Sequence, residues 1–156
     1  MIDGPTGAGS EFIDQRQRAR TISVILRSGT LALAVPVRDV RRVMPARGFT
    51  SVPLARREVI GVMVLEGKAV PVYRLESLNR QEEQEGAFPP ARAGSVAILE
   101  REGAIAGFLI EASETVRGDV GPGIRSSDAR EILTTVGALA PETGAQEAAD
   151  AAHGDR

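Results

Sequence analysis

The chain has no cysteine and no tryptophan, one tyrosine, four phenylalanines and a single histidine. Without cysteine there can be no disulfide, thiolate metal site, iron–sulfur cluster or thiol nucleophile. The lone imidazole, His153, sits near the last residue among Ala, Asp and Gly. One histidine cannot build a multi-His metal site, and its setting argues against a general base. Lysine is nearly missing too: among 19 cationic side chains only Lys68 is not arginine. No apolar run approaches the ~18–20 residues that span a bilayer, and no signal peptide opens the chain. These absences lead us to expect a cytoplasmic protein with no catalytic residues, no cofactor and no metal. The length of 156 residues is enough for one good core.

What is present is unevenly distributed. The net charge is −2. Residues 1–15 carry three acids and no bases, and residues 16–57 carry ten Arg against Asp39 alone. Residues 58–80 balance, and residues 81–156 carry fourteen acids against six Arg. A basic first part is therefore joined to an acidic second part. Such a split offers a surface to nucleic acid or to an acidic partner, or charges that cancel across the fold.

The ends do not read as folded core. Residues 1–20 are expected to be a disordered tail, in which Gly9-Ser10-Glu11-Phe12 resembles an expression-vector scar. Gly4, Gly7 and Gly9 do not make a phosphate loop, because the Gly-Lys-Ser/Thr that does the chemistry is missing. Residues 140–156 hold no Leu, Ile, Val or aromatic residue and are expected to be a second disordered tail.

Between the ends the pattern is one of short strands. Ile22, Val24 and Leu26 alternate with their neighbours up to Ser28-Gly29-Thr30, and Leu31 to Val37 alternate again, which reads as a hairpin. Val37, Val40, Val43 and Met44 then recur at three and four, which reads as one or two helical turns ended by Pro45. Residues 59–65 and 69–75 flank Glu66-Gly67-Lys68 as a second hairpin, with Pro71 pointing to an edge or bulge. Residues 96–99 and 105–110 flank Arg101-Glu102-Gly103 as a third. Residues 128–133 fit one helical turn, and Val136–Leu139 a last short strand. The polar stretch 81–94, broken by Pro89-Pro90, reads as a linker. The fold class expected is all-β, with a first small barrel over 21–80 and a second over 95–139.

The run from Val59 to Leu75 (VIGVMVLEGKAVPVYRL) resembles the signature of the CheW-like family, roughly I-x-G-V-x-N-L-R-G-x-x-x-P-V-x-D-L. Leu33 to Val40 resembles the family's upstream motif. Gly107 to Val116 resembles its G-x-x-V-D-x-V-x-x-V, and Glu131 to Leu139 the segment before its final strand. The resemblance runs in order from about residue 21 to 139. It implies two intertwined, five-stranded SH3-like barrels with a groove between them. It implies a non-catalytic adaptor that joins chemoreceptor signalling tips to the regulatory domain of a histidine autokinase. Carried onto this sequence, the receptor groove would include Val40, Arg42, Val43, Leu65, Glu66 and Gly67.

Several positions depart from the family pattern. Glu66 stands where the family usually has Arg, and Arg42 where it commonly has an acid. An ion pair survives a joint reversal of sign, so Arg42 is expected to couple to Glu66. Arg74 replaces an Asp, and Ser113 an apolar residue. After Leu139 the apolar closing strand of the family does not follow. The second barrel is therefore expected to be incomplete, with an open edge available for self-association or for another chain's strand. Such a loss puts kinase docking in doubt. It leaves an accessory adaptor that binds receptors but couples poorly to the kinase as the alternative. A basic small-barrel nucleic-acid-binding module is the more distant one, weakened by the shortage of aromatics for base stacking. An enzyme built on Glu82-Glu83 or on Glu100 and Glu102 is weaker still.

Overall fold

A computed structural model describes residues 16, 17, 20–53, 58–79 and 94–140. Nine strands form two sheets among them. In chain order they are β1 (Ile22–Ser28), β2 (Leu31–Pro36), β3 (Val40–Pro45), β4 (Val59–Leu65), β5 (Lys68–Arg74), β6 (Ser95–Arg101), β7 (Ala104–Ile110), β8 (Ala112–Arg117) and β9 (Arg125–Ser126). A helix of two turns, α1 (Ala129–Thr135), follows. The expected linker 81–94 lies outside the described residues save for Gly94.

One sheet has the order β8-β1-β2-β9 and the other β3-β6-β7-β5-β4. The expected all-β architecture is present, and the strands of the two halves interleave. The first hairpin pairs with β8 and β9, while β6 and β7 lie between β3 and β5. Strand pairing therefore crosses the division drawn at 81–94.

The interleaving explains a feature of the sequence. β6 and β7 read as nearly continuous apolar runs because both of their faces are buried. Ala97, Leu99, Ala106, Phe108 and Ile110 enter a larger core with Val24, Leu26, Leu33 and Val35 from the four-stranded sheet and Ile132 and Leu133 from α1. Val96, Ile98 and Leu109 point the other way, into a smaller core with Met63, Leu65, Val70 and Val72. At Gly107 a Cβ would lie 2.8 Å from Val96 Cγ1, so the smaller core closes over a residue without a side chain.

Three local expectations need correction. Only Val37–Asp39 is helical, as one 3-10 turn, and Val40–Pro45 is a strand. The register of β3 on β6 shifts between Val40 and Arg42, so Arg41 is an inserted bulge residue. That extra residue breaks the period of two and lengthens the apolar spacing to three, which imitates a helix. Val136–Leu139 is not a strand. It wraps back on α1, with Ala138 and Leu139 amides donating to Leu133 O and Gly137 at φ +77°. A left-handed glycine after a helix closes it in this way. Of the edge or bulge expected at Pro71, the edge strand is not found, while the β4–β5 ladder does bulge between Val59 and Gly61, one pair further on. Pro71 pairs with Val62, and the parallel ladder to β7 begins only at Val72, past the missing N–H.

The four-stranded sheet falls short of five strands, and β9 contributes just two residues. Among the described residues nothing pairs with the outer edge of β8.

Candidate functional site

The site is built around β3, an edge strand of the five-stranded sheet. Pro36 ends β2, and the 3-10 turn carries the chain from one sheet to the other. The Val40 N–H donates to Val37 O and starts β3. The bulge then places Arg41 out of step with the ladder. Its guanidinium donates through Nη1 to Glu100 Oε2 and through Nη2 to Glu66 Oε2.

Glu66 and Gly67 form the turn between β4 and β5, both with positive φ, 51° and 79°. Left-handed conformation at both central residues is the twist a two-residue hairpin needs. Glycine adopts it freely, whereas a glutamate there costs about 1 kcal/mol. The Glu66 carboxylate is thereby held at the tip of a fixed hairpin, facing Arg41. The pair is exposed, at 33% and 57% for the two side chains, so its stability contribution is roughly 0–1 kcal/mol.

The expected groove residues divide into two groups. Val40 packs partly on the larger core, and Val43 is 39% exposed on the same strand. Glu66 and Gly67 are exposed at the turn, and Leu65 beneath them is buried in the smaller core. Arg41 brings the strand and the turn together. The expected Arg42–Glu66 coupling is not found: Glu66 pairs with Arg41, and Arg42 makes no ion pair among the described residues. The bulge is the reason. It moves the guanidinium that reaches the turn one position back along the chain.

Sequence reading missed Arg41, because a bulge leaves no direct mark on composition. It also missed a neighbouring cleft of about 380 Å³, lined by Gln17, Arg20, Thr21, Ile22, Pro36, Val37 and Arg38. Val37, three residues before Val40, is 43% exposed there. Arg117 stands opposite Ile22 on β8. The cleft's lining combines apolar Ile22, Pro36 and Val37 with cationic Arg20 and Arg38, with no acid among the described residues that line it. The available signals were the density of Arg over 16–57 and an apolar Val37 just past a strand-ending proline.

The carboxylates considered for chemistry that lie among the described residues are held in ion pairs. Glu100 is held by Arg41, and Glu102 by the Arg130 guanidinium at 2.7 Å. Glu82 and Glu83 lie outside the described residues.

Two interleaved β-sheets share a double-faced central hairpin and carry a charged strand-and-turn edge. The family model for the CheW-like domain matches residues 23–139, and the chain belongs to that family. Compared by sequence with curated proteins, it matches none. Among the solved structures similar to it is the scaffolding protein TtCheW from Thermoanaerobacter tengcongensis. The identity is 22% and the TM-score 0.53, over 64% of this chain and 63% of that one. The match thus spans less than two thirds of that chain.

Proposed function

We propose that the protein is a non-catalytic adaptor in bacterial chemosensory signalling, binding a chemoreceptor signalling tip and the regulatory domain of a histidine autokinase. Family membership supports the adaptor role. The observation that carries the receptor half is the edge formed by Val40, Arg42 and Val43 on β3 with Glu66 and Gly67 at the facing turn, joined through Arg41. The cleft lined by exposed Val37, Arg20 and Arg38, on the turn that leads into β3, adds apolar area and positive charge. A mixed surface of this kind suits a helical hairpin with an apolar stripe and acidic flanks. Arg42 and Glu66, each opposite in sign to the family's usual residue, would select among receptors by penalising wrong-sign contacts.

A paired pull-down tests the reading, with the receptor's signalling hairpin and the kinase's regulatory domain as baits. Capture by both supports the adaptor. Capture by the receptor alone supports the accessory adaptor, a reading favoured by the short four-stranded sheet and the unpaired edge of β8. Capture by neither removes both. The same β8 edge is where self-association would occur, by strand addition.

Nucleic-acid binding is disfavoured by the placement of the aromatics. Phe108 is fully buried, Tyr73 stacks on it with centroids 5.8 Å apart, and Phe49 packs on the smaller core. None of them can act as an exposed stacking platform on the basic face. No helix among the described residues is long and apolar enough to cross a membrane, and we place the protein in the cytoplasm on the strength of its proposed partners.

A further inference from the structure

Asp39 is the buried charged residue of the described structure, 2% exposed. It ends the 3-10 turn between the two sheets and immediately precedes Val40. Its two oxygens serve two different elements. Oδ1 accepts from Arg101 Nη1 at 2.9 Å, and Oδ2 accepts from the Ala129 N–H at 3.1 Å. Arg101 ends β6, the strand whose Leu99 pairs with Val40. Ala129 opens α1 and is itself fully buried. Its amide is one of the helix's unpaired first-turn donors, and water cannot replace the carboxylate there without opening the core.

The rest of α1 is tied elsewhere. Arg130 grips Glu102 in the β6–β7 turn, and Ile132 and Leu133 enter the larger core. Asp39 joins the helix to the crossover into β3 by a buried hydrogen bond, beside the apolar packing of Val40 on the core that holds Ile132 and Leu133. Seven residues make a marginal helix, so its seating depends on such tethers. A buried carboxylate does not keep half of its partners cheaply. Losing one leaves a charge poorly compensated, which favours two arrangements, bonded or open.

From this geometry we infer that Asp39 is a positioning residue that makes the seating of α1 and the shape of the β3 edge one cooperative unit. A contact that shifts α1 is thereby read at the partner-binding strand. The consequence for binding rests on the proposed receptor surface, whereas the structural coupling does not.

Amide hydrogen exchange on the full chain tests the coupling, comparing wild type, Arg130→Gln, Asp39→Asn and the double variant. Arg130 pairs with Glu102 in the β6–β7 turn, away from the Asp39 carboxylate's two hydrogen bonds. Loosening α1 through Arg130→Gln is expected to lower protection at 129–133 and also at 42–44, by about fivefold or more. Protection in β4 and β5 should stay unchanged. Asp39→Asn should lower protection at both places together, by up to roughly 100-fold, and Arg130→Gln should then no longer affect 42–44. Loss of protection at 129–133 with 42–44 untouched in Arg130→Gln would overturn the inference. Should Asp39→Asn fail to fold, the Arg130→Gln comparison decides alone. Receptor-hairpin affinity, measured in parallel, should fall with protection at 42–44. If the hairpin does not bind wild type, the functional reading fails while the exchange result still judges the coupling.

Discussion

Two ion pairs flank Val40, and they differ in everything except sign. On one side Asp39, with its side chain 3% exposed, meets Arg101 and a buried helix amide. On the other Arg41 meets Glu66 and Glu100 with all three side chains at least a third exposed. Coulomb attraction is present in both, but water reaches both partners of the second, whereas in the first it reaches Arg101, 37% exposed, and not the Asp39 carboxylate. Burial therefore decides which pair holds the fold and which is left to shape a surface. The inner pair ties the crossover to β6 and α1, and the outer pair lies exposed on the surface proposed for a partner.

The contrast can be broken at several depths. Asp39→Ala strands Arg101 and the Ala129 N–H, and is expected to lower unfolding free energy by about 3–5 kcal/mol in urea titrations. A loss under about 1 kcal/mol would make the inner pair no different from the outer. Gly107→Ala tests whether the central hairpin is as tightly packed as the 2.8 Å approach to Val96 implies. An overpacking cost of about 1–3 kcal/mol is expected, read as a lower thermal midpoint. Asp128 caps α1 by accepting the Glu131 N–H at 2.9 Å. Asp128→Ala should cost about 0.5–2 kcal/mol, visible as reduced helix protection.

The smallest effect belongs to the outer pair. Arg41→Glu and Glu66→Arg should each change stability by under about 1 kcal/mol, with the charge-swapped double variant restoring the pair. A double-mutant cycle should show this coupling fading in high salt, whereas the same cycle on Arg42 and Glu66 should show none. Coupling between residues 42 and 66 instead would mean that the bulge at Arg41 is not maintained in solution.

Much of the fold was legible in the sequence. The three hairpins announced themselves through alternation around Gly-containing turns, and residues 128–133 read as a helical turn. That the strands of the third hairpin are buried on both faces emerged only from the structure. What misled was local. A bulge in β3 looked like helical spacing, and a helix cap at Gly137 looked like a strand. The edge at Val40, Val43 and Glu66 was proposed through resemblance to a family motif, while Arg41 and the Val37 cleft came into view only with the structure. Side chains meeting across 25 residues, as Arg41 and Glu66 do, leave no periodic trace in a chain.

The sequence by itself determined what this protein lacks and how its backbone is disposed to turn. Side-chain period and turn chemistry act over a few residues, so they are written locally. Only the tertiary structure decided which strands pair across the chain, that Asp39 is buried between a guanidinium and a helix amide, and that Arg41 rather than Arg42 reaches Glu66. Those outcomes depend on closing the two sheets around a common hairpin, where one inserted residue re-aims a side chain and exclusion of water separates a structural charge from a surface one.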